Sequence, residues 1–219
     1  MTVVSVVYHS SYGHTRALAE HVAAGARRVE GVEVRLLEIA PRQIADGAWK
    51  DDAIVAALDA SDAIVFGCPT YMGSVSWPFK AFLEGAYYAG AWTNQRWKDK
   101  IAGAFTNSAS QSGDKLSTLF QLVVFASQMS MLFVGLGDPP GNNWSGGSPD
   151  DVNRLGSWLG LSAQSNGDQG PELAPSQGDR RTAERYGQRI ASVARHWKRQ
   201  GDHLTERLSE PLAAAASAG

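Results

Sequence analysis

The chain has 219 residues, 43% of them apolar, and 20 basic against 22 acidic side chains leave a formal net charge of −2. That length suits one α/β domain with elaborated loops and leaves little for a second. The near-neutral balance gives neither a nucleic-acid footprint nor a polybasic membrane contact, and the apolar runs fall far short of a membrane span.

The chain opens directly on a strand pattern, Val3–Tyr8, with no signal-peptide layout, so a cytoplasmic protein without membrane insertion is expected. Ser10-Ser11-Tyr12-Gly13-His14-Thr15 follows and leads into a helical pattern over His14–Arg28, with Leu18, Val22 and Val29 near one stripe. A strand, a small-polar loop and a helix start make an anion site, because a helix N-terminus presents unpaired N–H groups and partial positive charge. Ser10, Ser11 and Thr15 add hydroxyls, and Gly13 allows close backbone approach. Hydroxyls rather than a lysine suit a single terminal phosphate. The segment contains neither Gly-x-x-x-x-Gly-Lys-Ser/Thr nor Gly-x-Gly-x-x-Gly. Taken alone, it also reads as an ordinary capped turn.

Further along, strands are predicted at Glu33–Glu38, Ala63–Phe66, Ile101–Phe105 and Met131–Val134, and helices at Asp52–Ala60, Trp77–Ala86, Lys115–Ala126 and Gly178–Arg199. Cys68 is the single cysteine, which excludes an internal disulfide, and it is expected to be a buried, inert thiol. No His or carboxylate group has metal-ligand spacing, so no metal is expected. Two stretches exceed what a minimal five-strand domain needs. One is Gly85–Lys100, with Tyr87, Tyr88, Trp92 and Trp97; the other is the Gly/Pro/Asn/Ser-rich connection Gly135–Pro175, with Trp144 and Trp158. Their aromatics argue for an interface or an active-site wall, or else for simple cover of local surface. From Gly201 the chain reads as a flexible tail, which leaves one domain over residues 1–200.

Apolar strands alternating with helices indicate a doubly wound parallel sheet in the flavodoxin-like order 2-1-3-4-5, with helices on both faces. Such sheets bind ligands beyond the carboxyl ends of their strands at the switch point. Loops after strands 1, 3 and 4 should therefore carry unusual residues, and they do: Ser10–Thr15, Gly67–Ser74 and Thr106–Gly113 are all small, polar or glycine-bearing.

Taken together, Tyr8-His9-Ser10-Ser11-Tyr12-Gly13-His14-Thr15 and Pro69-Thr70-Tyr71-Met72-Gly73-Ser74 resemble the WrbA-type flavodoxin-like NAD(P)H:quinone oxidoreductases over about residues 2–198. The resemblance implies noncovalent FMN, NADH or NADPH as donor, a quinone-like acceptor, and a homo-oligomer, dimer or tetramer. Carried over by position, Ser10, Ser11, Tyr12, Gly13, His14 and Thr15 hold the FMN phosphate. Pro69, Thr70, Tyr71, Met72 and Gly73 run along the isoalloxazine edge, and Asn107, Ser108, Ala109, Ser110, Gln111 and Ser112 form a third wall near the pyrimidine end. Tyr12, Trp92 and Met129 fall at the substrate side, with Trp92 contributed by the same or another protomer. The chain departs from the family twice. Its third loop has fewer glycines, and Gln128 and Met129 replace a pair of histidines, which leaves Tyr71 or solvent for any proton transfer. Rival readings are a one-electron carrier resembling flavodoxin, which the charge of −2 disfavours, and a non-flavin interaction module on the same architecture.

Overall fold

A computed structural model describes residues 1–208. In chain order the elements are β1 (Thr2–Tyr8), α1 (His14–Arg27), β2 (Val32–Glu38), the short hairpin β3 (Ile44–Ala45) and β4 (Ala48–Trp49), α2 (Asp52–Asp59), β5 (Ala63–Tyr71), β6 (Ser74–Val75), α3 (Trp77–Tyr88), β7 (Ile101–Ser108), α4 (Lys115–Gln128), β8 (Leu132–Phe133), β9 (Leu161–Gln164) and α5 (Gln177–Leu208). The main sheet runs β2-β1-β5-β7-β8 with parallel pairing throughout that path. This is the doubly wound order expected from the sequence.

Strand alternation builds two cores. Val4, Val6 and Tyr8 of β1, Val65 of β5 and Phe105 of β7 face α1 and α5, where Leu18, Val22, Tyr186 and Ile190 are buried. Val7, Ile64 and Phe66 point the other way, into a core with Leu58 of α2, Phe79 and Phe82 of α3 and Leu119 and Leu122 of α4. Helices α1 and α5 approach so closely that a Cβ on Gly25 would stand 1.8 Å from the Glu184 carbonyl oxygen, and one on Gly187 1.9 Å from that of Val22.

The fifth strand corrects the expectation. Met131–Val134 contributes only the two-residue β8, which pairs with Ile101 and Ala102. The same sheet position is completed by β9, which pairs in parallel with Phe105–Ser108 after an excursion over residues 135–160. Tyr186 fills the break: its hydroxyl accepts from the Ala104 N–H (3.1 Å) and donates to the Val134 carbonyl (2.7 Å). Side chains hold the excursion to the body. Arg185 forks onto the Asp138 carboxylate (2.6 and 2.9 Å), and buried Asn153 donates to the carbonyls of Asp138 and Ser157. The expected tail from Gly201 continues in α5 as far as Leu208, and its remainder, 209–219, lies outside the described residues.

Candidate functional site

Helix α1 starts in an unusual way. The turn before α2 is capped conventionally, Asp51 accepting from the N–H groups of Ala53 (3.1 Å) and Ile54 (3.0 Å). Before α1 stands Gly13 at φ 89°, with no side-chain cap. Its own N–H donates to Ser10 Oγ at 3.1 Å. Among the described residues, the amides of Ser11, Tyr12, His14, Thr15 and Arg16 donate to no protein acceptor. Thr15 is 2% exposed, yet it lines a cavity with Ser10, Ser11, Tyr12 and His14. Orphan amides, hydroxyls and a helix N-terminus thus converge on one space, a cradle suited to a phosphate group.

That cavity, of about 440 Å³, opens at the carboxyl ends of β1, β5 and β7 and is within the range of small-molecule sites. Pro69 and Tyr71 form its second side, and Asn107, Ser108 and Ala109 its third. Several expected contacts fall elsewhere. The Thr70 side chain turns inward, its Oγ1 lying 2.8 Å from both Thr106 Oγ1 and Thr118 Oγ1, so only its backbone remains to face a ligand. Met72 and Gly73, with φ of 49° and 72°, form the two-residue turn of the β5–β6 hairpin, which brings Tyr71 opposite Ser74 and leaves Met72 at the exposed tip. The carbonyls of Ser110, Gln111 and Ser112 turn onto Lys115, and the side chains of Gln111 and Ser112 border a neighbouring groove.

Trp92 and Met129, expected at the substrate side, lie away from this cavity within one chain. Both line a separate groove of about 660 Å³ between α3 and α4, together with Tyr88, Phe120 and Gln128, and Met129 is buried in the core beneath it. Within one chain neither residue reaches the cavity. Tyr12, 76% exposed on its rim, does.

A fourth wall was missed. Ser165 and Gly167-Asp168-Gln169-Gly170 also line the cavity, beside the Ser10–Thr15 loop. His14 donates Nε2–H to the Gln169 carbonyl (2.7 Å), and Ser165 Oγ donates to Asn107 Oδ1 (3.0 Å). Behind this wall Arg154 forks onto Asp179 with two 2.8 Å bonds, and side-chain exposures of 9% and 2% show that the pair is shut away from water. The same carboxylate accepts from the Gln164 N–H (3.0 Å), and the Gln164 amide donates to the Ala109 carbonyl (2.9 Å), tying third and fourth walls together. A signal existed in the sequence: Ser165-Asn166-Gly167-Asp168-Gln169-Gly170 has the composition of the other ligand loops and follows the alternating pattern of β9.

Beneath the walls, His9 shares a 2.9 Å hydrogen bond with Ser76 Oγ, and burial pulls its pKa below the ordinary histidine value. Burial pushes the Cys68 thiol up to about 12, so it stays protonated and inert. Among the described residues there is no cluster of metal-ligating side chains and no helix long and apolar enough to cross a membrane.

Phosphate-seeking amides at the switch point of a doubly wound parallel sheet place the chain among the flavodoxin-like cofactor-binding proteins. The NADPH-dependent FMN reductase family matches residues 3–143. Flavodoxin FldP of Pseudomonas aeruginosa is 39% identical over 194 residues, which cover 88% of this chain and 97% of that protein. An NAD(P)H dehydrogenase (quinone) of Geobacter sulfurreducens is 32% identical over 209 residues, covering 87% and 97%. Among solved structures, the flavodoxin, WrbA-like protein from Agrobacterium tumefaciens is 41% identical, with a TM-score of 0.67 and coverage of 90% and 99%. The chain belongs to the NADPH-dependent FMN reductase family, in its WrbA-type flavodoxin-like branch. Its oxidoreductase class, its FMN cofactor and its NAD(P)H donor are those of that family, as the sequence led us to expect.

Proposed function

We propose that the protein takes electrons from NAD(P)H and delivers them to a quinone or similar flat aromatic acceptor by a ping-pong, two-electron cycle. The observation that carries this reading is the convergence of four chain segments, two of them strand ends, on one cavity whose first wall is lined with orphan amides. Bound FMN supplies the hydride acceptor, its N5, and the route of the electrons onward. The chain supplies position and electrostatics. Ser10 to Thr15 grip the phosphate, Pro69 and Tyr71 border the ring edge, and the loop from Asn107 faces the pyrimidine end with fixed dipoles. Tyr12 presents an exposed ring to donor and acceptor in turn. Gln128 and Met129, which replace the family's pair of histidines, line the α3–α4 groove, and the Tyr71 hydroxyl or solvent would serve as proton source.

This reading covers one FMN-binding unit over residues 1–200, in the cytoplasm. Assembly as a dimer or tetramer would let Trp92, 47% exposed, reach a neighbouring protomer's cavity. The similarity to Flavodoxin FldP supports a second reading, a one-electron carrier. The two are separated by mixing the FMN-loaded protein, freed of excess flavin, anaerobically with NADH and with NADPH. Rapid bleaching of the yellow flavin, reversed by added quinone, is expected. Flavin that stays yellow favours the carrier, and a protein that retains no flavin overturns both.

A further inference from the structure

Lys115 borders the neighbouring groove, at the far end of the segment whose first residues, Asn107 to Ala109, line the cavity. It opens α4, yet it is 2% exposed. Gly113 and Asp114, with φ of 55° and 54°, turn the chain back so that the side chain reaches across its own loop. Its Nζ donates to the carbonyls of Ser110 (2.5 Å), Gln111 (2.9 Å) and Ser112 (3.5 Å). Among the described residues no carboxylate lies within salt-bridge distance of it. The charged groups felt from neighbouring elements are Asp179 of α5 and Arg154 of the excursion; these are paired with each other and act on the ammonium in opposite senses. A cation this buried, without a counter-ion, is costly in a folded protein.

Peptide geometry shows what the arrangement achieves. In a trans peptide the N–H points opposite to the C=O. With the three carbonyls turned onto Lys115, the N–H groups of Gln111, Ser112 and Gly113 point away from it, and among the described residues none donates to a protein acceptor. The same loop lines the cavity through Asn107, Ser108 and Ala109. We infer that Lys115 is a positioning residue for the flavin: its ammonium fixes the third loop from behind and places an unneutralised positive charge close to the wall that meets the pyrimidine end. This rests on the FMN reading above. The incoming ligand carries a negatively charged phosphate and gains negative charge on reduction, so a cation held in a low-dielectric wall favours binding and favours the reduced form more than the oxidised one.

The pH dependence has a definite sign. Burial lowers the Lys115 pKa to about 8, whereas an anion bound nearby favours the ammonium. Affinity for FMN is therefore full below about pH 8 and falls as pH rises through it. The phosphate itself, with a second pKa near 6, has finished titrating by then.

The test measures dissociation constants of oxidised and of chemically reduced FMN with the full chain from about pH 7 to pH 9.5, for the unmodified protein, K115R and K115M. In the unmodified protein affinity is expected to fall several-fold through pH 8, more for reduced than for oxidised FMN. K115M is expected to bind oxidised FMN about tenfold more weakly at pH 7, with a larger loss for the reduced form and no inflection near pH 8. K115R, which keeps the charge, should retain the preference for reduced FMN and lose the inflection. A folded K115M with unchanged affinities overturns the inference. Should that variant fail to fold, a flat profile in the unmodified protein overturns it equally. An unmodified chain that binds no FMN at pH 7 overturns the cofactor reading itself, an outcome distinct from both.

Discussion

The first and fourth walls of the cavity touch at His14 and Gln169 and are held by opposite means. The first, Ser10 to Thr15, is one short stretch between β1 and α1, and the backbone does the work: a glycine at φ 89° starts a helix whose amides are left without partners. The fourth, residues 165–170, arrives only after the excursion that splits the fifth strand, and side chains hold it. Arg154, Asp179 and Gln164 brace it from behind, and Arg180 donates to the carbonyls of Pro171 (2.8 Å) and Pro175 (2.9 Å). A wall made by local backbone geometry depends on one or two residues. A wall made by distant side chains depends on a network, and its failure should reach the fold as well as the site.

The largest effect is expected from breaking the network. Arg154→Ala leaves Asp179 buried without its partner and should cost about 3–5 kcal/mol of stability, measured by urea denaturation, together with weakened FMN binding through the released Gln164. Unchanged stability would show that the fourth wall does not depend on this pair. Next comes Gly13→Val, which strikes both walls at once. A Cβ there stands 2.8 Å from Pro171 Cγ, and valine is poorly suited to positive φ. FMN affinity should drop about 100-fold, equivalent to about 2.7 kcal/mol, in a protein that still folds; retained affinity would put the phosphate somewhere else. The smallest effect sharpens the contrast from outside. Trp92→Ala touches neither wall and should change FMN affinity by less than about twofold. A rise in quinone KM in the same variant would place Trp92 at a neighbouring protomer's site, and a loss of FMN would contradict the geometry of the single chain.

The same contrast explains what could be read from the sequence. Strand order, the small-polar loop before α1 and the polar segment that follows β7 were legible because each is announced by adjacent residues: an apolar run, then glycine and hydroxyls, then a helical stripe. Pro69 and Tyr71 were expected in a loop after a strand ending at Phe66, whereas β5 continues through Tyr71 by pairing with β7 and β6, and the inward turn of Thr70 was not legible either. It depends on Thr106 and Thr118, far away in the chain. The break in the fifth strand was hidden because β8 and β9 are separated by 27 residues, from Val134 to Gly160, whose Gly/Pro/Asn/Ser-rich composition reads as a loop and not as a strand interrupted. Periodicity cannot report that two short apolar pieces share one sheet position. Lys115 was read only as the start of a helix, since nothing in a sequence tells a lysine that folds back under its own loop from one that points to water.

The hydroxyl of Tyr186 has a consequence for the sheet as a whole. An edge strand in two pieces ought to leave backbone groups of β7 and of the chain after β8 open in the gap, and open strand edges are templates on which other chains can add. One phenol closes that gap by accepting from Ala104 and donating to Val134, and with Ile190 it packs over Gly103. Extra chain can thus enter and leave at the sheet edge without creating a sticky seam. The excursion leaves and rejoins the sheet edge without opening the Ala104 and Val134 groups to another strand.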